Sequence, residues 1–423
     1  MKLVYFCADR VGAEMAGPGI RAVELSRRLS PRHDVVLVAP GAESLADEPF
    51  ARVEASPGIL APLLRSADAF LTQGFGFPLS ALRGFSGRLI LDLYDPVQLE
   101  QLAQFGPHPT PAQRISLGYV RARLLLVLRR ADHILCASPA QRALWLGWLG
   151  AAGRLGPELL EGDPEARRFL AVVPFGLPEA PPVAAGHPLR QAVGVDPGVP
   201  LALWSGGLWD WMDPELAVRA LSVLAARGHR AHLAFLAGAR PGGDPMRAAA
   251  DAARAATAAL GLADRVHFVE RWIPYAERGA WLLDADVAVT AHKPTLEAEL
   301  AFRTRLLDCL WTRLPAACTA GDVLASDSER EGWGALAPTG DAEGLAAALE
   351  RLLDPAENAR AREAAGRAGE KRRWSVAAGT LLALLDGPPP LRPAFLRPGE
   401  MGQESALGMA GAIASKLWKR VRG

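Results

Sequence analysis

Short apolar runs alternate with longer amphipathic stretches along most of the chain. In the first half the runs are Lys2–Cys7, Asp34–Ala39, Ala69–Thr72, Arg88–Leu93, His133–Ala137 and Leu170–Pro174. Each is bounded by turn residues and apolar on both faces, the mark of a strand covered on both sides. Helical patterns lie between them, as at Ile20–Leu29, where Val23, Leu25 and Leu29 mix with Arg27 and Arg28. The alternation restarts at Leu201. Strands are predicted at Leu201–Ser205, Ala231–Ala237, Arg265–Val269, Val287–Thr290, Ala316–Thr319 and Gly334–Ala337. Helices are predicted at Pro214–Ala226, Pro245–Ala259, Thr304–Thr312 and Gly344–Leu353. Parallel strands joined by helices need right-handed crossovers, so the expected class is α/β, with two doubly wound halves facing across a cleft.

Two stretches break the pattern. Leu177–Pro200 is dense in Pro, Gly and Ala, with only a short helix expected at Leu189–Val193. It reads as a connection, which gives boundaries of 1–180 for a first domain, 181–200 for a linker and 201–386 for a second domain. The remainder, 387–423, opens with Pro388–Pro390 and Pro393. A helix over Glu404–Arg422 would align Leu407, Ala410, Ala414, Leu417, Trp418 and Val421, with Lys416, Lys419, Arg420 and Arg422 near its end. Such a basic amphipathic tail predicts peripheral contact with an anionic membrane surface. The competing reading is an ordinary packed helix whose basic end complements its dipole.

Composition narrows the function. The chain has 423 residues, 47 Lys plus Arg against 46 Asp plus Glu, and 50% hydrophobic residues. At roughly 150 residues per domain this fills two or three cores. The charge balance argues against a nucleic-acid partner, which needs clustered cations. No run approaches the roughly 20 apolar residues of a membrane helix, and the Met1–Cys7 run is too short for a secretory signal. Cys7, Cys136, Cys309 and Cys318 form no CxxC pair and read as core thiols, which points to the reducing cytoplasm.

Ligands of doubly wound sheets bind at the carboxyl ends of strands. Gly17-Pro18-Gly19 follows the first strand and Gly206-Gly207 follows the first strand of the second half, each before a helix whose free N–H groups suit an anion. Asp213 and Pro214 read as N-cap and first helical residue. Glu297, Glu299, Arg303, Thr304, Arg305 and Asp308 cluster in one segment. Arg303 opposes the helix dipole there, so either an anionic ligand or a pairing with Glu297 or Glu299 must relieve it. Asp92 and Asp95 end a first-half strand as candidate acceptor contacts. Asp284-Ala285-Asp286 has metal-binding letters but enters a buried strand, and His108 and His292 lie near strand ends, so no metal site is predicted.

Taken together, the two halves, the Gly17–Gly19 and Gly206–Gly207 loops and the acidic segment running to Asp308-Cys309-Leu310-Trp311-Thr312-Arg313-Leu314-Pro315 resemble GT-B glycosyltransferases, especially the family 4 retaining enzymes. The resemblance spans residues 1–386 and implies two Rossmann-like domains, a first that binds acceptor and a second that binds a nucleotide-diphosphate sugar. It implies that Asp308 holds the ribose, Asp standing where the family usually has Glu. The family's earlier acid falls on Leu300, which leaves Glu297 or Glu299 as the nearest carboxylates. The family's Arg and Lys after the second glycine loop are replaced by Leu208, Trp209, Asp210 and Met212, so Arg303 or Arg305 must face the diphosphate. By the same resemblance, Arg303, Glu297 and Asp95 are the expected catalytic residues. Gly206, Gly207, Arg303, Thr304, Arg305, Asp308, Glu270 and Arg271 are expected at the donor, and Gly17, Gly19, Asp92 and Asp95 at a glycan or lipid-linked acceptor. Transfer would retain configuration and need neither metal nor cofactor. The alternatives are a non-catalytic nucleotide-sugar-binding protein and an epimerase of the same fold.

Overall fold

The computed structural model describes residues 1–238 and 248–388. They form two compact units. The first takes Met1–Pro174 together with the chain from Ala377, and the second takes Phe175–Val376.

The first unit holds β1 (Lys2–Phe6), β2 (Asp34–Ala39), β3 (Ala51–Glu54), β4 (Ala69–Gln73), β5 (Arg88–Asp92), β6 (His133–Cys136) and β7 (Leu170–Val172). They make one seven-stranded sheet in the order β3-β2-β1-β4-β5-β6-β7. The second unit holds β8 (Leu201–Trp204), β9 (His232–Leu236), β10 (Val266–Val269), β11 (Val287–Thr290), β12 (Ala316–Thr319) and β13 (Gly334–Ala337), in the order β10-β9-β8-β11-β12-β13. The strands pair in parallel throughout. In each sheet the order reverses beside the first strand, between β1 and β4 and between β8 and β11. That switch point opens a crevice at the strand carboxyl ends.

Every strand expected from the apolar runs is present. The exception is an addition: β3, with the sequence Ala-Arg-Val-Glu, is the solvated edge of its sheet and lacks the buried run that marks the others. The helices Pro214–Ala226 and Thr304–Thr312 have the expected bounds. Asp213 caps the former by accepting from the Leu216 amide at 3.2 Å. The first helix starts at Gly17, ahead of the expected Ile20, because Pro18 fits a first helical turn. The helix expected over Pro245–Ala259 is described from Ala248 onward. The tail helix expected over Glu404–Arg422 lies outside the described residues.

The unit boundaries differ from those read off composition. Residues 181–200 belong to the second unit. Their helix Pro188–Val193 is pinned where Asp284 accepts from the Arg190 amide at 2.8 Å and meets His187 Nδ1 at 2.7 Å. Asp286 pairs with the Arg190 guanidinium and accepts from the Leu201 amide, both at 2.8 Å. The two aspartates of the metal-like motif are thereby occupied as structural acceptors. Helix Gly379–Asp386 returns to the first unit, where Arg88 donates to Leu384 O at 3.1 Å and Arg32 pairs with Asp386 at 2.6 Å.

Each unit has its own core. Val4, Phe70, Leu91, Trp145 and Phe169 centre the first, and Trp204, Leu221, Phe235, Val289 and Leu349 the second. All four cysteines are buried free thiols. Burial pushes Cys318 up to about 11 and Cys136 up to about 12, as for inert core thiols.

Candidate functional site

β8 ends at Trp204, and the chain turns sharply through Gly206, whose φ of +85° favours glycine. Gly207 follows with its Cα against the Trp209 ring, so near that a Cβ would stand 2.8 Å from it. Each glycine therefore has a local steric reason. Together they bare a backbone carbonyl, and Arg305 Nη2 donates to this Gly207 O at 3.1 Å. The same nitrogen lies 3.1 Å from Met212 Sδ, and the guanidinium carbon stands 5.3 Å from the Trp204 ring centroid. Arg305 Nη1 is buried and makes no hydrogen bond. Among the described residues no carboxylate forms an ion pair with Arg305. Burial first, and then the neighbouring Arg303, lowers its pKa to about 10, so it is still a cation at neutral pH. A part-buried cation whose buried Nη1 is idle and which has no counter-ion is costly and suits an anion.

His292 stands beside it, just past β11. It is 2% exposed, its amide donates to Thr319 Oγ1 at 2.9 Å, and its Nδ1 is buried without a hydrogen bond. Burial, reinforced by Arg303 and Arg305, holds the imidazole well below its ordinary pKa and hence neutral. A strand-pairing bridge ties it to Met212, which joins the loops after β8 and β11 at the switch point.

Arg303 has a different role. Its Nε lies 3.0 Å from Asp322 Oδ2, with both side chains almost wholly enclosed. Nη1 donates to Thr319 O at 2.6 Å and Nη2 to Ala320 O at 3.4 Å. Asp322 also accepts from the Arg303 amide at 3.1 Å and from Ala325 N at 2.7 Å, capping the helix Val323–Arg330. The conflict between Arg303 and the dipole of the Thr304 helix is thus met by an internal carboxylate, and the pair staples that helix to the end of β12.

The other expected donor residues lie in the same unit. Thr304 is the first residue of its helix. Asp308, one turn on, is part-exposed and pairs at 3.1 Å with Arg278. That guanidinium lies 3.6 Å from the Tyr275 ring centroid and 4.5 Å from that of Trp311. Glu297 is buried in the short helix Leu296–Leu300, which Thr295 caps through Ala298 N at 3.2 Å. Glu270 pairs with Arg254, and Arg271 with Glu277 at 2.6 Å. Gly238, after β9, presses its Cα onto the Arg271–Trp272 backbone.

In the first unit, Asp92 is enclosed. Both its oxygens accept from Arg21, at 2.7 and 2.9 Å, and Arg21 also donates to Val173 O at 2.8 Å and Pro174 O at 3.1 Å. Tyr5 and Tyr94 adjoin this pair, and burial raises both phenols well above their ordinary range. Asp92 is thereby committed to a buried ion pair, whereas Asp95, just beyond it, is hydrogen-bonded to Glu100, and desolvation raises its carboxyl above the ordinary range. Gly17 has open space around it, and a Cβ on Gly19 would stand 2.5 Å from Arg10 O. The Gly17 helix has no side-chain N-cap. Among the described residues no three His, Cys, Asp or Glu side chains gather as a metal site, and no helix is long and apolar enough to cross a membrane.

Sequence reasoning missed Arg21, Asp322 and Arg278, the partners of three residues it had singled out. Each lies far along the chain from its partner, and no local pattern marks it.

No protein-family model matches the sequence, and no curated protein matches it. Solved structures do. The sucrose-phosphate synthase of Thermosynechococcus elongatus is 18% identical with a TM-score of 0.66, and the match covers 91% of this chain and 98% of that one. Anabaena HepE, solved with UDP and glucose, is 16% identical with a TM-score of 0.63, over 91% and 99% of the two chains. WaaG, described as a glycosyltransferase of lipopolysaccharide biosynthesis, is 15% identical with a TM-score of 0.62, over 91% and 100%. The chain has the GT-B fold. Within that GT-B frame the unpaired guanidinium and the neutral imidazole both lie at the switch point of the second sheet.

Proposed function

We propose that this chain is a glycosyltransferase that moves a sugar from a nucleotide-diphosphate donor to a glycan or lipid-linked acceptor. The observation that carries the reading is Arg305, a part-buried cation with a buried, idle Nη1 and no carboxylate partner among the described residues, seated on the Gly206–Gly207 bend. A diphosphate supplies both the missing charge and an acceptor for Nη1. The amides of Thr304 and Arg305, at the start of their helix, add further donors. In this reading Asp308 takes the ribose, the backbone at Glu270 and Arg271 the base, and Glu297 is the carboxylate nearest the sugar. Arg303, neutralised by Asp322, serves as a positioning residue. In the first unit Gly17 and Asp95 are the acceptor contacts of this reading, Asp95 sharing a hydrogen bond with Glu100, while Gly19 and Asp92 shape the scaffold behind them. The fold likeness, and the UDP bound to Anabaena HepE, support the donor class.

The proposed reaction breaks the bond from the sugar C1 to the terminal phosphate oxygen and joins the acceptor oxygen to C1 on the same face. The departing phosphate oxygen takes the acceptor proton, so configuration is retained. Catalysis then rests on stabilising the leaving diphosphate, which a desolvated guanidinium and helix amides do without a metal.

Thermal-shift titration across nucleoside diphosphates tests this. A ligand at 100 times its Kd adds about 2.7 kcal/mol of stability. Arg305→Ala should abolish the shift with diphosphates and leave any shift with the free nucleoside intact. If no nucleoside diphosphate or nucleotide sugar stabilises the chain, the proposal fails. A non-catalytic nucleotide-sugar-binding role is the second reading, favoured by Leu300 standing where the family has an acid. Tight donor binding with neither donor hydrolysis nor transfer would select it.

A further inference from the structure

Both phosphates of a nucleotide-diphosphate sugar are ionised at neutral pH, and departure of the sugar adds further charge to the terminal one. Arg305 neutralises only part of it. The other cations expected near the donor already have acids: Arg271 pairs with Glu277, Arg278 with Asp308 and Arg303 with Asp322. The remaining charge needs another partner.

Lys293 follows His292 in the loop after β11 and is exposed. Its amide donates to Trp211 O at 3.3 Å, next to the bridge between Met212 and His292. Its Nζ donates to Asp210 O at 2.7 Å. Lys293 and Arg305 therefore hold one loop, Arg305 at Gly207 and Met212, Lys293 at Asp210 and Trp211. An ammonium has three N–H donors, and the Asp210 carbonyl takes one. Among the described residues no carboxylate forms an ion pair with Lys293. The two acids of the held loop are turned to helix starts instead. Asp210 Oδ1 accepts from Ala249 N at 3.1 Å, and Asp213 Oδ1 from Leu216 N at 3.2 Å.

We propose that Lys293 is a second donor-binding residue, which meets the terminal phosphate while Arg305 meets the inner one. The order follows from their neighbours. Arg305 shares its helix with Asp308, placed at the ribose, and Lys293 lies four residues before Glu297, placed at the sugar. The inference rests on the donor reading and adds a selectivity to it. Two cations on loops after different strands suit two linked phosphates better than one. A long flexible ammonium can close on the second phosphate once the first is seated.

Calorimetric titration of the full chain with UDP and GDP, and with UMP and GMP as controls, tests it. Lys293→Gln should weaken diphosphate binding about ten-fold or more, the weight of one charge-assisted hydrogen bond, and leave monophosphate binding within about two-fold. Lys293→Arg should recover most of the loss, because the charge stays. Added salt should narrow the gap between the parent and Lys293→Gln, since screening acts on a charge that only the parent carries. The ligand-free thermal midpoint should not change, because the side chain is exposed. Equal diphosphate binding by the parent and Lys293→Gln overturns the proposal and leaves the donor reading standing. An equal loss for monophosphate and diphosphate also overturns it, because that is the mark of a displaced loop and not of a lost phosphate contact. If the parent binds no nucleotide, the donor reading falls and this assignment falls with it.

Discussion

Asp92 and Asp322 are enclosed carboxylates, and each faces one enclosed guanidinium, Arg21 and Arg303 respectively. Removing one member strands the other charge without water, so Asp92→Ala and Asp322→Ala should each lower unfolding free energy by about 3–5 kcal/mol in urea titrations. Arg305 is the opposite case. It has no carboxylate partner to lose, so Arg305→Met should leave stability unchanged or raised while nucleoside-diphosphate binding disappears. A measured stability loss like that of Asp322→Ala would show that the guanidinium is structural. The lowered pKa of Arg305, about 10, sets a further expectation. Its charge is complete below that value and is lost above it, so diphosphate affinity should be flat from pH 7 to about 9 and fall beyond about 10. Calorimetric titration across that range checks it. At this scale the sequence was informative about which residues cluster and silent about how they pair. Arg303 and Arg305 sit in the same short segment, and only the position of Asp322, far downstream, separates their roles.

Elements were the most legible level. Strands buried on both faces carry unbroken apolar runs, and Asp213 marks a helix start by capping it at Leu216 N. The edge strand β3 escaped because Arg52 and Glu54 are free to face water there. Residues 181–200 misled in the other direction. Their Pro and Gly suggest a loose tether, yet Arg190 is fixed to Asp286 and to the Asp196 and Val199 carbonyls, the latter two both at 2.9 Å. Close packing between elements also imposes residue choices that no local pattern reveals. Gly238 has no room for a side chain against Arg271 and Trp272. Gly238→Ala should force the loop after β10 outward and cost about 1–3 kcal/mol, read as a lower thermal midpoint. In the proposed pose it should also weaken nucleoside binding more than binding of inorganic pyrophosphate.

For the molecule as a whole, acid should be harmful. His33, His133, His232, His267 and His292 all have pKa values lowered from 6.5, burial being the first cause in each. Below pH 6.5 the unfolded chain takes up these protons before the folded one does, so stability falls as pH drops from about 6.5 toward 5. Thermal midpoints at pH 7.5 and 5.5 should show the loss, and His292→Gln should make it shallower. The course of the chain through the two units has another outcome. The second unit is one unbroken stretch, and its ends are stitched together. Leu177 N donates to Arg372 O at 2.7 Å, and Trp374 N donates to Leu177 O at 2.9 Å. An excised fragment of residues 175–376 would begin and end at the same spot, with its whole sheet and hydrophobic interior intact. It should fold when expressed alone and titrate with UDP like the parent, which would make nucleotide capture a portable property of a module of half the size.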